Sequence, residues 1–151
     1  MSGIKREKVA VFLLDSCLPF PIAFARHAWF VIQRGSRFDR WEFGKFQLGR
    51  QPGGFGLYHN FLPPFSGLVQ RVGGGAHGKR YPAVVRAFAE RPEITEPLAR
   101  FIESKSHHYP GLEQYRYLGP NSNTYIQWVL NQFPELDWEL PWNAIGKNYR
   151  F

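Results

Sequence analysis

The sequence predicts an α+β fold, an antiparallel sheet with helices packed on it, from three observations. Short β-branched and aromatic runs divided by Pro, Gly and Ser fill the first half of the chain. From Ile94 onward the apolar residues recur instead at helical spacing. Neither an internal repeat nor a linker divides the 151 residues, a length that suits one core, so a single domain over 1–151 is expected.

The elements follow in chain order. "KVAVFLL" (8–14) and "HAWFVI" (27–32) are β-branched and apolar, and "RFDRWEF" (37–43) alternates polar with aromatic positions, so three strands are expected. "FGLYHNFL" (55–62), "SGLVQRV" (66–72) and "AVVRAFA" (83–89) are further strand candidates among the glycines. A first helix is expected from Ile94, with Ile94, Leu98, Phe101 and Ile102 on its stripe. Thr95 is available to cap it, and Pro97 fits only a first turn, where a missing N–H does no harm. A second helix carries Ile126, Val129, Leu130 and Phe133 on one stripe and ends at Pro134. Aromatic residues are 17% of the chain, so a few bulky side chains should fill the core.

Composition narrows the function. A single cysteine, Cys17, excludes an intramolecular disulfide and a thiolate zinc cage and fits a reducing compartment, so a cytoplasmic location is expected. The apolar run 9–14 stops at Asp15 and then meets Pro19 and Pro21, which reads as a strand and not as a secretion signal. No stretch has the length of a membrane span. The formal charge of +7 attracts anions at long range, but the basic residues are scattered, which argues against nucleic acid as the partner. A small-molecule or peptide ligand of anionic character is expected instead, with no cofactor and no metal.

The run "YLGPNSNTYIQWVL" (117–130) crowds Asn121, Ser122, Asn123 and Thr124 where one capping residue would start a helix. The first N–H groups of a helix lack internal partners and carry the positive end of its dipole. With Asn121 as the cap, Ser122 takes the first helical position, beside donors for a developing oxyanion, and Asn121, Asn123 and Thr124 add hydrogen bonds. A serine nucleophile needs a base, and the base needs an orienting group. His27 opens a strand on which it shares a face with Trp29 and Val31, and Glu42 lies on the next strand between Trp41 and Phe43. Together they sketch a site of Ser122, His27 and Glu42 with Trp29 alongside. Each also has a plain structural reading, as a cap, a core histidine and an outward strand carboxylate.

The order "HAWFVI", "RWEFG", "GPNSNTY" resembles the circularly permuted NlpC/P60 branch of the papain-like fold. There a strand histidine precedes a polar residue on the following strand, and a cysteine opens a later helix. More closely, the chain resembles a bacterial family catalogued as domain of unknown function 3750. That resemblance is carried by His27 and Trp29, Glu42, Tyr109 and Pro110, the block 119–124, and the terminal residues 134–136, Leu140, Pro141 and 144–147. The wider resemblance implies a permuted NlpC/P60 arrangement with His27 as base, Glu42 as its orienter and Ser122 in the cysteine's place. A hydroxyl, unlike a thiol, stays protonated near neutral pH and depends wholly on its base.

Two functional readings follow. One is an amide or ester hydrolase, or an acyltransferase, using Ser122 and His27. The other is a non-catalytic binding module that holds an anionic ligand at the N-terminus of the 123–133 helix. Other signals weigh less. "GGGAHGKRY", from Gly73, matches part of a phosphate-binding loop, but Arg80 stands where Ser or Thr should hold magnesium and Pro82 breaks the following helix, so a flexible basic hairpin is expected over 73–80. Cys17 is expected to be a buried, inert thiol. His107 and His108, being adjacent, are expected to diverge on a helix, and with His59 and His77 they show no metal-ligand spacing. The terminal "AIGK" (144–147) is expected to pack against the sheet.

Overall fold

The computed structural model describes residues 7–19, 22–46, 54–71 and 78–151. The strands are β1 (Val9–Cys17), β2 (Arg26–Arg34), β3 (Arg37–Lys45), β4 (Phe55–His59), β5 (Val69–Arg71), β6 (Gly78–Arg80) and β7 (Val84–Ala89). The helices are α1 (Pro92–Lys105) and α2 (Ser122–Leu130), with 3-10 turns at Ser106–His108 and Pro134–Leu136. Five strands form one antiparallel sheet in the order β4, β3, β2, β1, β7, and β5 pairs with β6 in a separate ladder. The α+β fold with an antiparallel sheet and helices is therefore the one that forms.

Alternation along the strands divides the apolar side chains between two faces. Val11, Leu13, Ala28, Phe30, Ile32 and Phe43 meet α1 and α2 through Leu98, Ile102, Tyr125, Ile126 and Val129. On the other face Leu14, Trp29 and Val31 pack with Phe12, Phe38 and Ala83. The turn from β2 to β3 is only two residues long, and Gly35 takes the positive φ of 58° that such a tight reversal requires. Phe43 is the hub of the helix-side core, with ring centroids 5.2 Å from Tyr109 and 5.9 Å from Tyr115.

Both helices depart from the expected limits. α1 begins two residues before Ile94 because Pro92 is preorganised for a first turn, and no side chain caps it. Thr95 thus lies inside the helix, where its buried hydroxyl donates to the carbonyl of Val9 at 2.8 Å and ties α1 to β1. Pro97 falls in the second turn, on the exposed side, where water can satisfy the carbonyl its ring leaves unbonded. α2 stops at Leu130, and Phe133 packs from the following turn against Phe101 at 5.6 Å. "AVVRAFA" forms β7, while only the ends of the 69–80 region appear as β5 and β6; Gly73 to His77 lie outside the described residues.

Among the described residues no helix is long and apolar enough to cross a membrane. Phe43→Ala should lower unfolding stability by about 3–5 kcal/mol, the range for a fully buried phenylalanine whose neighbours cannot close the void. Urea denaturation with an unchanged m-value checks it.

Candidate functional site

Strands β2 and β3 are paired from Arg34 opposite Arg37 only as far as Phe30 opposite Trp41. Beyond that they part, which leaves the peptide groups of Arg26 and Ala28 on the β3 side without a strand partner. The side chain of Asn123 supplies one. Its Oδ1 accepts from the Ala28 N–H at 3.1 Å and its Nδ2 donates to the Arg26 carbonyl at 2.8 Å, while the Arg26 N–H donates to the Asn143 carbonyl. One amide thus makes both bonds that a neighbouring peptide would make, and it clamps the first turn of α2 to the peptides on either side of His27.

His27 and Glu42, expected to meet across adjacent strands, do so: Nε2 and Oε1 are 2.8 Å apart, and both side chains are buried. Arg40, two residues along the same face from Glu42, completes the cluster. Its Nε and Nη2 donate to the two carboxylate oxygens at 2.5 and 2.9 Å. Nη1 donates to the carbonyls of Pro63 and Ser66 at 3.0 and 2.6 Å, and the guanidinium lies 3.9 Å over the Trp29 ring. Burial alone would raise the pKa of Glu42, but hydrogen bonds and charge from His27 and Arg40 outweigh it and hold the carboxyl below its ordinary 4.5.

The four polar residues at the start of α2 are all buried. Asn121 caps the helix, accepting from the N–H groups of Asn123 and Thr124, and its own N–H donates to Thr124 Oγ1 in a reciprocal capping box. Ser122 takes the first helical position, where the Tyr115 hydroxyl interacts with both its side chain and its backbone. Burial is the main reason the Tyr115 pKa is raised, with the Glu42 charge adding to it against the lowering by Ser122, so its hydroxyl stays protonated. The segment 144–147 lies across this helix mouth and not flat on the sheet. The amides of Asn121 and Asn123 both donate to the Ile145 carbonyl, and Thr124 Oγ1 donates to that of Gly146. Gly146 has φ of +100°, and a Cβ there would fall 2.2 Å from Asn121 Oδ1, so only glycine lets the segment come this close.

The predicted residues are brought together unequally. His27 and Glu42 share a face with Trp29 and Arg40, while α2 packs on the opposite face, with Tyr115 beside Phe43. Among the described residues no hydrogen bond joins Ser122 to His27, and His27 Nδ1 makes none. Trp29 gives its indole N–H to the Pro64 carbonyl, and Arg40 covers its ring. A groove of about 350 Å³ is lined by Leu118, Trp142 and residues 144–149, including Lys147, whose Nζ donates to the Leu140 carbonyl. Neither His27 nor Ser122 lines it.

Sequence reasoning missed Arg40, and no local signal marks it, since an arginine at an alternating strand position ordinarily faces solvent. Cys17 is half-buried, with the Arg26 guanidinium nitrogen Nη1 2.9 Å from its sulfur, and is not the sealed thiol expected. His107 and His108 do not diverge: a 3-10 turn brings their ring centroids to 4.0 Å. Among the described residues no group of three or more His, Cys, Asp or Glu is placed to hold a metal.

A family model described as "Protein of unknown function (DUF3750)" matches residues 77–149, a span that includes α1, α2 and the segment over the helix mouth. No curated protein and no solved structure matches the chain.

Glu42→Gln should destabilise the protein by about 3–5 kcal/mol, because it strips the buried Arg40 guanidinium of its counter-ion. The folded-state pKa of Glu42 is depressed, so its contribution is complete above about pH 4.5 and disappears as pH falls through the lower folded value. Melting curves against pH should therefore show the gap between wild type and Glu42→Gln narrowing only in acid.

Proposed function

We propose that the protein is an acyl-transfer enzyme, an amide or ester hydrolase, in which Ser122 is the nucleophile, His27 the general base and Glu42 the group that steadies the imidazole. The observation that carries this reading is the His27 to Glu42 contact at 2.8 Å, made through Nε2, with no hydrogen bond at Nδ1 among the described residues. Asn123 fixes the start of α2 to the peptides flanking that same histidine. The order of the parts, a strand histidine, an acid on the next strand and a later helix start, supports a permuted NlpC/P60 arrangement with serine in the cysteine's seat.

The chemistry is ordinary acyl transfer. Nδ1 takes the Ser122 proton as Oγ attacks the substrate carbonyl, and Glu42 offsets the charge of the imidazolium that forms. The N–H groups of Asn123 and Thr124 are already held by Asn121 and the Ser122 backbone is engaged by Tyr115, so the oxyanion would be met by the protonated Tyr115 hydroxyl. The imidazolium returns its proton to the leaving amine or alcohol, and water then repeats the sequence on the acyl-enzyme. The reading requires the Ser122 hydroxyl and His27 Nδ1, carried by elements on opposite faces of the sheet, to meet through the opening where β2 and β3 part.

A fluorophosphonate should form an adduct on Ser122, mapped by mass spectrometry. His27→Ala should slow its formation by about a hundredfold or more while leaving the circular dichroism spectrum folded. No adduct on folded wild-type protein, together with no turnover of activated esters, would overturn the enzyme reading in favour of a binding module without chemistry.

A further inference from the structure

We infer that Arg40 is a positioning residue of this site: it locks the Glu42 carboxylate so that His27 carries its proton on Nε2 and keeps Nδ1 as the basic nitrogen. The inference rests on the proposed role of His27 and specifies how that role is set.

An ionised carboxylate only accepts hydrogen bonds, so His27 Nε2 must be the donor to it, and in a neutral imidazole the other nitrogen is then the acceptor. The outcome depends on Glu42 being charged, although it is wholly buried. A carboxyl in such a place tends to hold its proton, and a protonated Glu42 would donate to Nε2 and send the ring proton to Nδ1, which removes the base. Arg40 prevents this. Its fork engages both oxygens of Glu42, which fixes the plane of the carboxylate as well as its charge. The fork is itself held from behind by two loop carbonyls, Pro63 and Ser66, and from one side by the Trp29 ring. A lysine would bring the charge without the plane. Among the described residues the other ionisable groups that interact with Glu42 are the Tyr58 and Tyr115 hydroxyls, both with pKa raised chiefly by burial, so besides His27 itself Arg40 is the cation paired with Glu42.

The test is nitrogen-15 NMR of the His27 ring in the full chain at neutral pH, for wild type and Arg40→Lys, with fluorophosphonate labelling of Ser122 measured alongside. With the ring in its neutral form, wild type is expected to show one tautomer, protonated at Nε2. Arg40→Lys, folded by its melting curve, should show a mixed or inverted tautomer and label at least tenfold more slowly. If Arg40→Lys does not fold, the double variant Arg40→Gln with Glu42→Gln, which removes both buried charges together, is expected to give the mixed tautomer. A wild-type ring protonated at Nδ1 would overturn the inference, as would either folded variant retaining the wild-type ring spectrum. The expected spectra without any labelling of wild type would uphold the positioning role and remove the hydrolase reading.

Discussion

The amide of Asn123 is the constraint on which the site depends. Where β3 turns away from β2, buried peptide groups would be left unpaired, at about 1–3 kcal/mol each. An asparagine side chain has the same donor and acceptor as a peptide and can take the place of the missing strand at a single point. Because it sits in the first turn of α2, it also fixes where the helix mouth lies. The helix cannot slide along the sheet without breaking bonds to Arg26, Ala28 and Ile145 at once. The segment 144–147 is drawn in by the same amides, so the sheet, the helix and the chain's last residues converge beside His27.

Two buried carboxylates set the electrostatics. Asp15 on β1 is held by Arg26 from β2 and Arg86 from β7, and Glu42 on β3 is held by Arg40 and His27. Such pairs add little net stability, since desolvation offsets their attraction, but losing one partner is costly. Their effect is to forbid alternatives. A register slip of one residue in β1 would carry Asp15 to the opposite face, away from both guanidinium groups. The rigidity of the Glu42 cluster has the same origin, with a planar fork on one side and a ring nitrogen on the other.

Much of this was legible in the chain. His27 and Glu42 could be paired because each lies on a strongly patterned strand and the two strands are joined by a two-residue turn. The helix start at Asn121 was legible from capping chemistry, which involves only neighbouring residues. Arg40 was not, because the Pro63 and Ser66 carbonyls that make burial tolerable come from the connection between β4 and β5, whose course over β3 no local pattern foretells. The start of α1 was misjudged for a related reason: Thr95 looked like a cap, but its hydroxyl is used by Val9, a strand residue far away in sequence.

The sequence by itself determined the strands of the five-stranded sheet, the presence of the two helices and the cap of α2, because periodicity and capping act over a few residues. Tertiary structure alone decided that the Asn123 amide completes a strand 95 residues earlier and that Arg40 closes on Glu42. It also decided that α2 packs on the face of the sheet opposite the one that carries His27 and Glu42. Those outcomes turn on which buried donors and acceptors are left over once the strands and helices have paired, and that remainder exists only after the chain has closed on itself.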